Sequence, residues 1–266
     1  MGKVLFVLID GLTADAAFRH MGFMEHLAEK QKAAKYRVKS ELPSLSRPIY
    51  EVLMTGTPAC KNGIVSNDTV RRSRKKNLFQ LATKAGMVTA AAAYYFFCEL
   101  YVSAPFNRQT DRFLSDPEAP IQHGIFYYDD FYPDSHVFSD ADYLIGRYHP
   151  DFALIHPMNT DFIGHRYGGK SEEYIKAVAN IDNILSTFLP GWIADGFDII
   201  VTADHGMSER KLHGGNSADE REVPMYVLGE NAVVKEETQT LFDQLSIAPM
   251  VCKMLGLTFD HESHPS

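Results

Sequence analysis

Six side chains of cation-binding type stand out in this chain of 266 residues: Asp10, Asp161, His165, Asp204 and His205, which follow stretches that read as strands, and His213, on a flexible segment a short distance later. Asp10-Gly11 alone is a common turn. Asp161 and His165, four residues apart, lie on one side of a helical turn and can grip one ion. Asp204 and His205 are adjacent and point at different targets, and Gly206 is read as the residue that lets the backbone turn sharply after them. His213, followed by Gly214-Gly215, adds a further imidazole. Each residue has an ordinary structural explanation, such as a helix cap or a surface histidine. Together, three aspartates and three histidines suffice for two ions with three protein ligands each. Mixed imidazole and carboxylate ligands suit Zn2+, with Mn2+ or iron also admitted. Two ions about 3.5–4 Å apart stabilise the attacking and leaving oxygens of an in-line displacement at phosphorus.

Such a centre calls for a nucleophile. The stretch Leu42-Pro43-Ser44-Leu45-Ser46-Arg47-Pro48 puts two serines just ahead of a helical pattern. A serine there is ordinarily a helix cap. Beside two cations, Ser46 becomes an alkoxide candidate, because a helix N-terminus favours negative charge and coordination lowers a hydroxyl pKa. Arg47 could touch substrate or lie on the surface.

The elements that must position these residues follow from apolar patterning. Val4 to Ile9 is an unbroken apolar run, as in a parallel strand buried on both faces. Helical patterns cover Ala14 to Lys32, interrupted near Gly22, then Arg47 to Met54, with Pro48 tolerated in the first turn. Asn77 caps a helix reaching Lys84. A helix is read over Ser139 to Tyr148, and another opens at Ser171 and is expected to stop before Pro190. Further strands are read at Val38, Val88 to Ala92, Phe152 to Ile155, Phe197 to Thr202 and Met225 to Leu228, with a closing helix over Ile247 to Leu255. Alternating strands and helices imply an α/β fold with a mostly parallel central sheet and helices on both faces. A single domain over 1–266 is expected, with the aromatic, irregular stretch inside 94–150 read as a lid-like insertion. Its Tyr94 to Phe97 and Phe126 to Tyr128 could line a leaving-group pocket or pack in the core. Ligands of parallel sheets gather at the carboxyl ends of the strands, where Asp10, Asp161, His165, Asp204 and His205 fall.

These words, in this order, resemble the alkaline phosphatase superfamily and, within it, the nucleotide pyrophosphatase/phosphodiesterase (type I phosphodiesterase) branch. The matching residues are Val7 to Gly11, Pro43 to Pro48, Thr55 to Pro58, Asn62 to Asn67, Asn159 to Asp161 with Gly164-His165, Thr202 to Met207, His213-Gly214, and Ser246 to Pro249 leading to Leu255-Gly256. The resemblance implies an alkaline phosphatase-like fold. It implies one metal on Asp10, Asp204 and His205 next to Ser46, a second on Asp161, His165 and His213, and a phospho-serine intermediate on Ser46. It also implies that Asn67 donates to a phosphoryl oxygen, an oxyanion-hole role. Two departures stand out: Ser46 replaces the threonine usual in diesterases, and Asn62-Gly63 stands where His-Gly is common.

Composition narrows the partners. A formal net charge of −8 opposes binding to a nucleic-acid polymer, which needs a basic surface. No apolar run approaches the roughly 18 residues of a membrane span. Three cysteines without paired spacing, and no secretory signal pattern, lead us to expect a cytoplasmic protein with reduced thiols. The expected partner is a small-molecule phosphoester. A phosphonate hydrolase or phosphomonoesterase with the same two-metal core is the nearest alternative. A catalytically silent metal- or phosphate-binding protein is the alternative of another class.

Overall fold

Strand β1 (Lys3–Ile9) begins the fold as its apolar run requires: Val4 through Ile9 are all buried. The computed structural model describes residues 2–229 and 241–259. After β1 come α1 (Ala14–His20), α2 (Gly22–Glu29), β2 (Ala33–Lys39), α3 (Ser46–Thr55), α4 (Ala59–Asn62), α5 (Leu78–Lys84), β3 (Thr89–Tyr94) and α6 (Phe96–Tyr101). The chain continues with β4 (Phe113–Ser115), β5 (His123–Tyr127), α7 (Asp134–Tyr148), β6 (Phe152–Ile155), α8 (Asn159–Tyr167), α9 (Glu172–Ala194) and β7 (Phe197–Ala203). It closes with α10 (Ala218–Arg221), β8 (Glu222–Leu228), β9 (Phe242–Asp243) and α11 (Ile247–Leu255).

Among the described residues, nine strands form one sheet in the order β4-β5-β3-β6-β1-β7-β8-β2-β9. Its centre, from β5 through β7, is parallel; β8 runs antiparallel to both β7 and β2, and β4 runs antiparallel to β5. Helices α1, α2, α7, α8 and α9 pack together as one layer, and α3, α4, α5, α6 and α11 as the other. The fold is therefore the expected α/β sheet, mostly parallel and covered by helices. The 94–150 stretch supplies strands to it: β5 pairs in parallel with β3, and α7 packs on β3, β5 and β6.

Two boundaries differ from those read in the sequence. Helix α9 runs through Pro190 to Ala194. The continuation buries Trp192, whose ring packs 6.0 Å from Phe138 and 5.3 Å from Phe188, while its indole N–H donates to Asp142 at 3.0 Å. Burial of a Trp outweighs the roughly 3 kcal/mol that an interior proline costs a helix. Helix α7 starts at Asp134 rather than Ser139: Pro133 precedes it in extended backbone as the N-cap, and buried Asp134 accepts hydrogen bonds from the backbone and side chain of Asn159.

Register positions the chemistry. Ile9 pairs with Ala203 across β1 and β7, so the next residue of each strand, Asp10 and Asp204, leaves the sheet side by side. Ile155 pairs with Val7, which brings the β6–α8 connection against the same end. No helix among the described residues is long and apolar enough to cross a membrane.

Candidate active site

Asp10, Asp204 and His205 converge at the carboxyl ends of β1 and β7, each with no exposed surface. His205 Nε2 lies 3.1 Å from Asp204 Oδ2 and 3.4 Å from Asp10 Oδ1. Ser46, the first residue of α3, places its Oγ 3.2 Å from the same Nε2. Asp161 and His165 sit one turn apart on α8, with His165 Nε2 3.5 Å from Asp161 Oδ2. His213 completes the second group, its Nε2 3.6 Å from Asp161 Oδ1 and 3.0 Å from His165 Nε2. The two groups adjoin, because the His205 and His213 rings stack at 3.7 Å. All six residues singled out in the sequence, and Ser46, therefore meet at one place.

Gly11 permits that meeting. It adopts φ +68°, and a Cβ there would lie 2.8 Å from the Cα and Cβ of Asp161. Any side chain at 11 would push α8, and Asp161 with it, away from Asp10. Gly206 serves a purpose other than the sharp turn expected of it. Its φ lies outside the left-handed range, and a Cβ would sit 2.1 Å from the Asp219 carbonyl oxygen, so what it provides is space.

Hydrogen bonding decides which ring nitrogens are available. The Nδ1 atoms of His165, His205 and His213 each lie 2.9–3.0 Å from a backbone carbonyl, those of Lys211, Gly206 and Ser44. A carbonyl only accepts, so each Nδ1 carries the hydrogen and each Nε2 presents a lone pair. Lone pairs then face one another across 3.0 Å between His165 and His213, and face carboxylate oxygens around His205. Asp10 Oδ1, Asp161 Oδ1 and Asp204 Oδ2 are buried without hydrogen-bond partners. Acceptors this crowded, and otherwise unpartnered, match what divalent cations take as ligands. Sets within reach of a single ion include Asp10, Asp204 and His205, and Asp161, His205 and His213.

Electrostatics carry the same signature. Burial, then the nearby Asp10 charge, pushes the carboxyls of Asp161 and Asp204 well above their usual range. Burial opposes charge on Asp10 too, but the His156 contact, the His205 imidazole and the Tyr50 hydroxyl outweigh it and hold that carboxyl below its ordinary range. Burial, then the neighbouring His213, lowers His205 to about 3, and burial lowers His213 as well. Both rings are thus neutral and ready to ligate at neutral pH.

A prediction follows with a definite sign. A carboxyl raised in the fold keeps its proton above the unfolded value of about 3.9, and the stability it contributes is lost as pH climbs through the raised value. Asp161 and Asp204 must therefore surrender protons when a cation binds. Calorimetric titration with Zn2+ in buffers of different ionisation enthalpy should show net proton release, with affinity rising from pH 5 to 8. Buffer-independent heats and a flat pH profile would contradict this.

The surrounding residues have defined places. Asn67 accepts the Arg47 N–H through Oδ1 at 3.0 Å, which leaves its amide NH2 free to donate. Arg47 is neither superficial nor open to substrate: its Nη2 donates to Glu99 Oε2 at 2.6 Å, and its guanidinium stacks 3.8 Å over the Phe96 ring. Asn62 ties its own loop, donating to Thr57 O and accepting from Ile64 N, both at 2.8 Å. Tyr94, Phe97, Phe126 and Tyr127 are core residues, whereas Tyr95 and Phe96 are half-buried and form a chain of rings with Phe106 and Tyr128. Tyr50 and His156, both fully buried against Asp10, stand outside the residue pattern that marks the six. His156 directly follows strand β6, so the strand-end reasoning applied to Asp10 and Asp204 applies equally to it.

The sequence pattern of the type I phosphodiesterase / nucleotide pyrophosphatase family matches residues 4–222. The chain is 23% identical over 245 residues to the catalytic subunit of human GPI ethanolamine phosphate transferase 2, covering 85% of this chain but only 23% of that protein's length. Its fold is similar to that of inactive murine ectonucleotide pyrophosphatase/phosphodiesterase 5 in complex with AMP, with a TM-score of 0.76, 13% identity, and coverage of 98% of this chain and 96% of the other. It is also similar to the phosphonate monoester hydrolase of Silicibacter pomeroyi, with a TM-score of 0.68, 14% identity, and coverage of 96% and 73%.

Proposed function

Because the chain belongs to the type I phosphodiesterase / nucleotide pyrophosphatase family, a family of phosphoester hydrolases, we propose that it cleaves small phosphodiesters or nucleotide pyrophosphates through a phospho-serine intermediate on Ser46. The observation that carries this reading is the convergence of the Ser46 hydroxyl, 3.2 Å from His205 Nε2, with three unpartnered carboxylate oxygens. Asp10, Asp204 and His205 would hold one divalent cation and Asp161, His165 and His213 a second, with Zn2+ favoured by the ligand types over Mn2+ or iron. Bound there, the pair supplies Lewis-acid stabilisation of the attacking and leaving oxygens.

This chain's own groups do the rest. Ser46 Oγ, having lost its proton, attacks phosphorus, the P–O bond to the leaving group breaks, and the phosphoryl group, with the substituent that a diester retains, resides on Ser46 until water displaces it and restores the hydroxyl. The Asn67 NH2, aimed by the Arg47 N–H, donates to a non-bridging oxygen as charge builds there. The half-buried rings of Tyr95, Phe96, Phe106 and Tyr128, tilted or edge-on to one another, offer apolar surface for a leaving group such as a nucleoside. Serine at position 46 favours a second reading, a phosphomonoesterase or phosphonate hydrolase on the same centre. Three free thiols support placing the protein in a reducing compartment.

The test is a hydrolysis panel with Zn2+- and Mn2+-loaded protein: an aryl phosphodiester, an aryl phosphomonoester, a dinucleotide and phosphonoacetate. The diester and dinucleotide should have the highest kcat/KM. A monoester preference of about 100-fold, or roughly 2.7 kcal/mol in the barrier, would move the assignment to the second reading. Tight cation binding with no turnover of any substrate would leave a silent binder.

A further inference from the structure

Asp10 is held at every polar atom but one. Its N–H donates to Pro157 O at 3.0 Å, and its carbonyl accepts from Thr160 Oγ1 at 2.5 Å. Its Oδ2 accepts the Tyr50 hydroxyl and lies 3.3 Å from His156 Nε2. Oδ1 alone has no hydrogen-bond partner, and it faces His205. The His156 ring has no exposed surface; it packs edge-on to Tyr50 at 4.9 Å and against Phe97 at 5.2 Å. At its far side, Nδ1 is 3.1 Å from the oxygen of the Tyr127 hydroxyl, whose one hydrogen is donated to the His156 carbonyl at 2.6 Å. An imidazole wedged in this way has one orientation, and that orientation aims Nε2 at a carboxylate.

We propose that His156 is a positioning residue for the cation centre: with Tyr50 it captures Oδ2 of Asp10 and so leaves Oδ1, in a fixed direction, as the ligand atom. The inference rests on the two-cation reading of the site. It also joins the two halves of that site. The stretch 156–160 that clamps Asp10 runs without a break into Asp161, so a displacement at His156 moves a carboxylate of each cation group. Outer contacts of this kind orient metal ligands and typically contribute about 10–100-fold to metal affinity.

Glutamine and asparagine separate positioning from mere packing. The amide nitrogen of glutamine reaches about as far as Nε2, toward Asp10, whereas that of asparagine reaches only about as far as Nδ1, toward Tyr127. Co2+ is the probe, followed by visible absorption and by metal content per chain, with unfolding temperatures of the cation-free proteins recorded alongside. His156→Gln should bind Co2+ within about threefold of the wild type, and His156→Asn should bind about 10–100-fold more weakly with an altered absorption band. Wild-type affinity and spectrum in His156→Asn would overturn the inference while leaving the two-cation reading intact, as would equal losses in both variants. A wild-type protein that binds no Co2+ would overturn both.

Discussion

Ser46→Ala should lower kcat by about 10^4–10^6-fold while leaving cation content and fold unchanged. The magnitude follows from the role proposed for it: if Ser46 carries the intermediate, removing its hydroxyl leaves only direct attack by water. The expectation of an intact fold follows from its contacts. The Ser46 hydroxyl has one hydrogen-bond partner, His205 Nε2, and that nitrogen remains available as a ligand. The Arg47 N–H to Asn67 bond is made by the neighbouring backbone and survives. Removing a small side chain at the start of a fully buried helix changes little volume, so unfolding by urea should shift by less than about 1 kcal/mol. Rapid acid quenching of the wild type on an aryl phosphodiester should trap, on the peptide containing Ser46, the phosphoryl group still esterified to the substituent that does not leave. A variant turning over within tenfold of the wild type, or a quench that leaves Ser46 unmodified, would remove the covalent step.

Stripping cations with a chelator should abolish activity and lower the unfolding temperature together. In the cation-free protein, Asp10, Asp161 and Asp204 crowd three carboxyl groups into a buried space, and each repels charge on the others. Burial holds Asp161 and Asp204 toward their protonated forms, which relieves the repulsion but leaves Oδ1 of Asp161 and Oδ2 of Asp204 unpartnered. A ligand that binds only the folded chain adds about 4 kcal/mol at a thousandfold excess over its Kd. For a domain of this size that is on the order of 10 °C in Tm. Calorimetric unfolding of stripped and Zn2+-restored protein checks the shift, and the same samples give the rates. Full activity in the presence of chelator, with no change in Tm, would mean that these acceptors serve another purpose. Asp161→Asn should reproduce part of the loss by withdrawing one ligand charge from the second group, whose His165 is exposed and whose His213 is hinged on Ser44 O.

The exposed rim bears on how such a centre is used. His165 has 44% of its side chain exposed, whereas Asp10, Asp204 and His205 have none. The group nearest Ser46 is therefore shut into the sheet end, and the Asp161 group opens toward solvent. That asymmetry suits a reaction in which the attacking hydroxyl is fixed and dry while leaving group and water exchange on the open side.

Much of this was legible in the chain because it is local. An unbroken run from Val4 to Ile9, a helix phase from Ser171 onward, and Asp or His at the ends of apolar runs depend on near neighbours, and the strand-end positions pointed to Asp10, Asp204 and His205 directly. The passage of the helix through Pro190 is not legible in the chain, because the local penalty of proline is visible in sequence and the burial of Trp192 that overrides it is not. The roles of His156 and Tyr50 are illegible in the chain for the same reason. A histidine and a tyrosine carry no signal until a register, here Val7 against Ile155, carries one to the flank of Asp10, and until α3 lays the other alongside. The order of residue types thus determined which chemistry the chain can attempt. The pairing of strands and the packing of helices decided which atoms face one another, which nitrogens keep a lone pair, and which carboxylate oxygen is left without a partner, because those depend on distances that contiguous sequence does not encode.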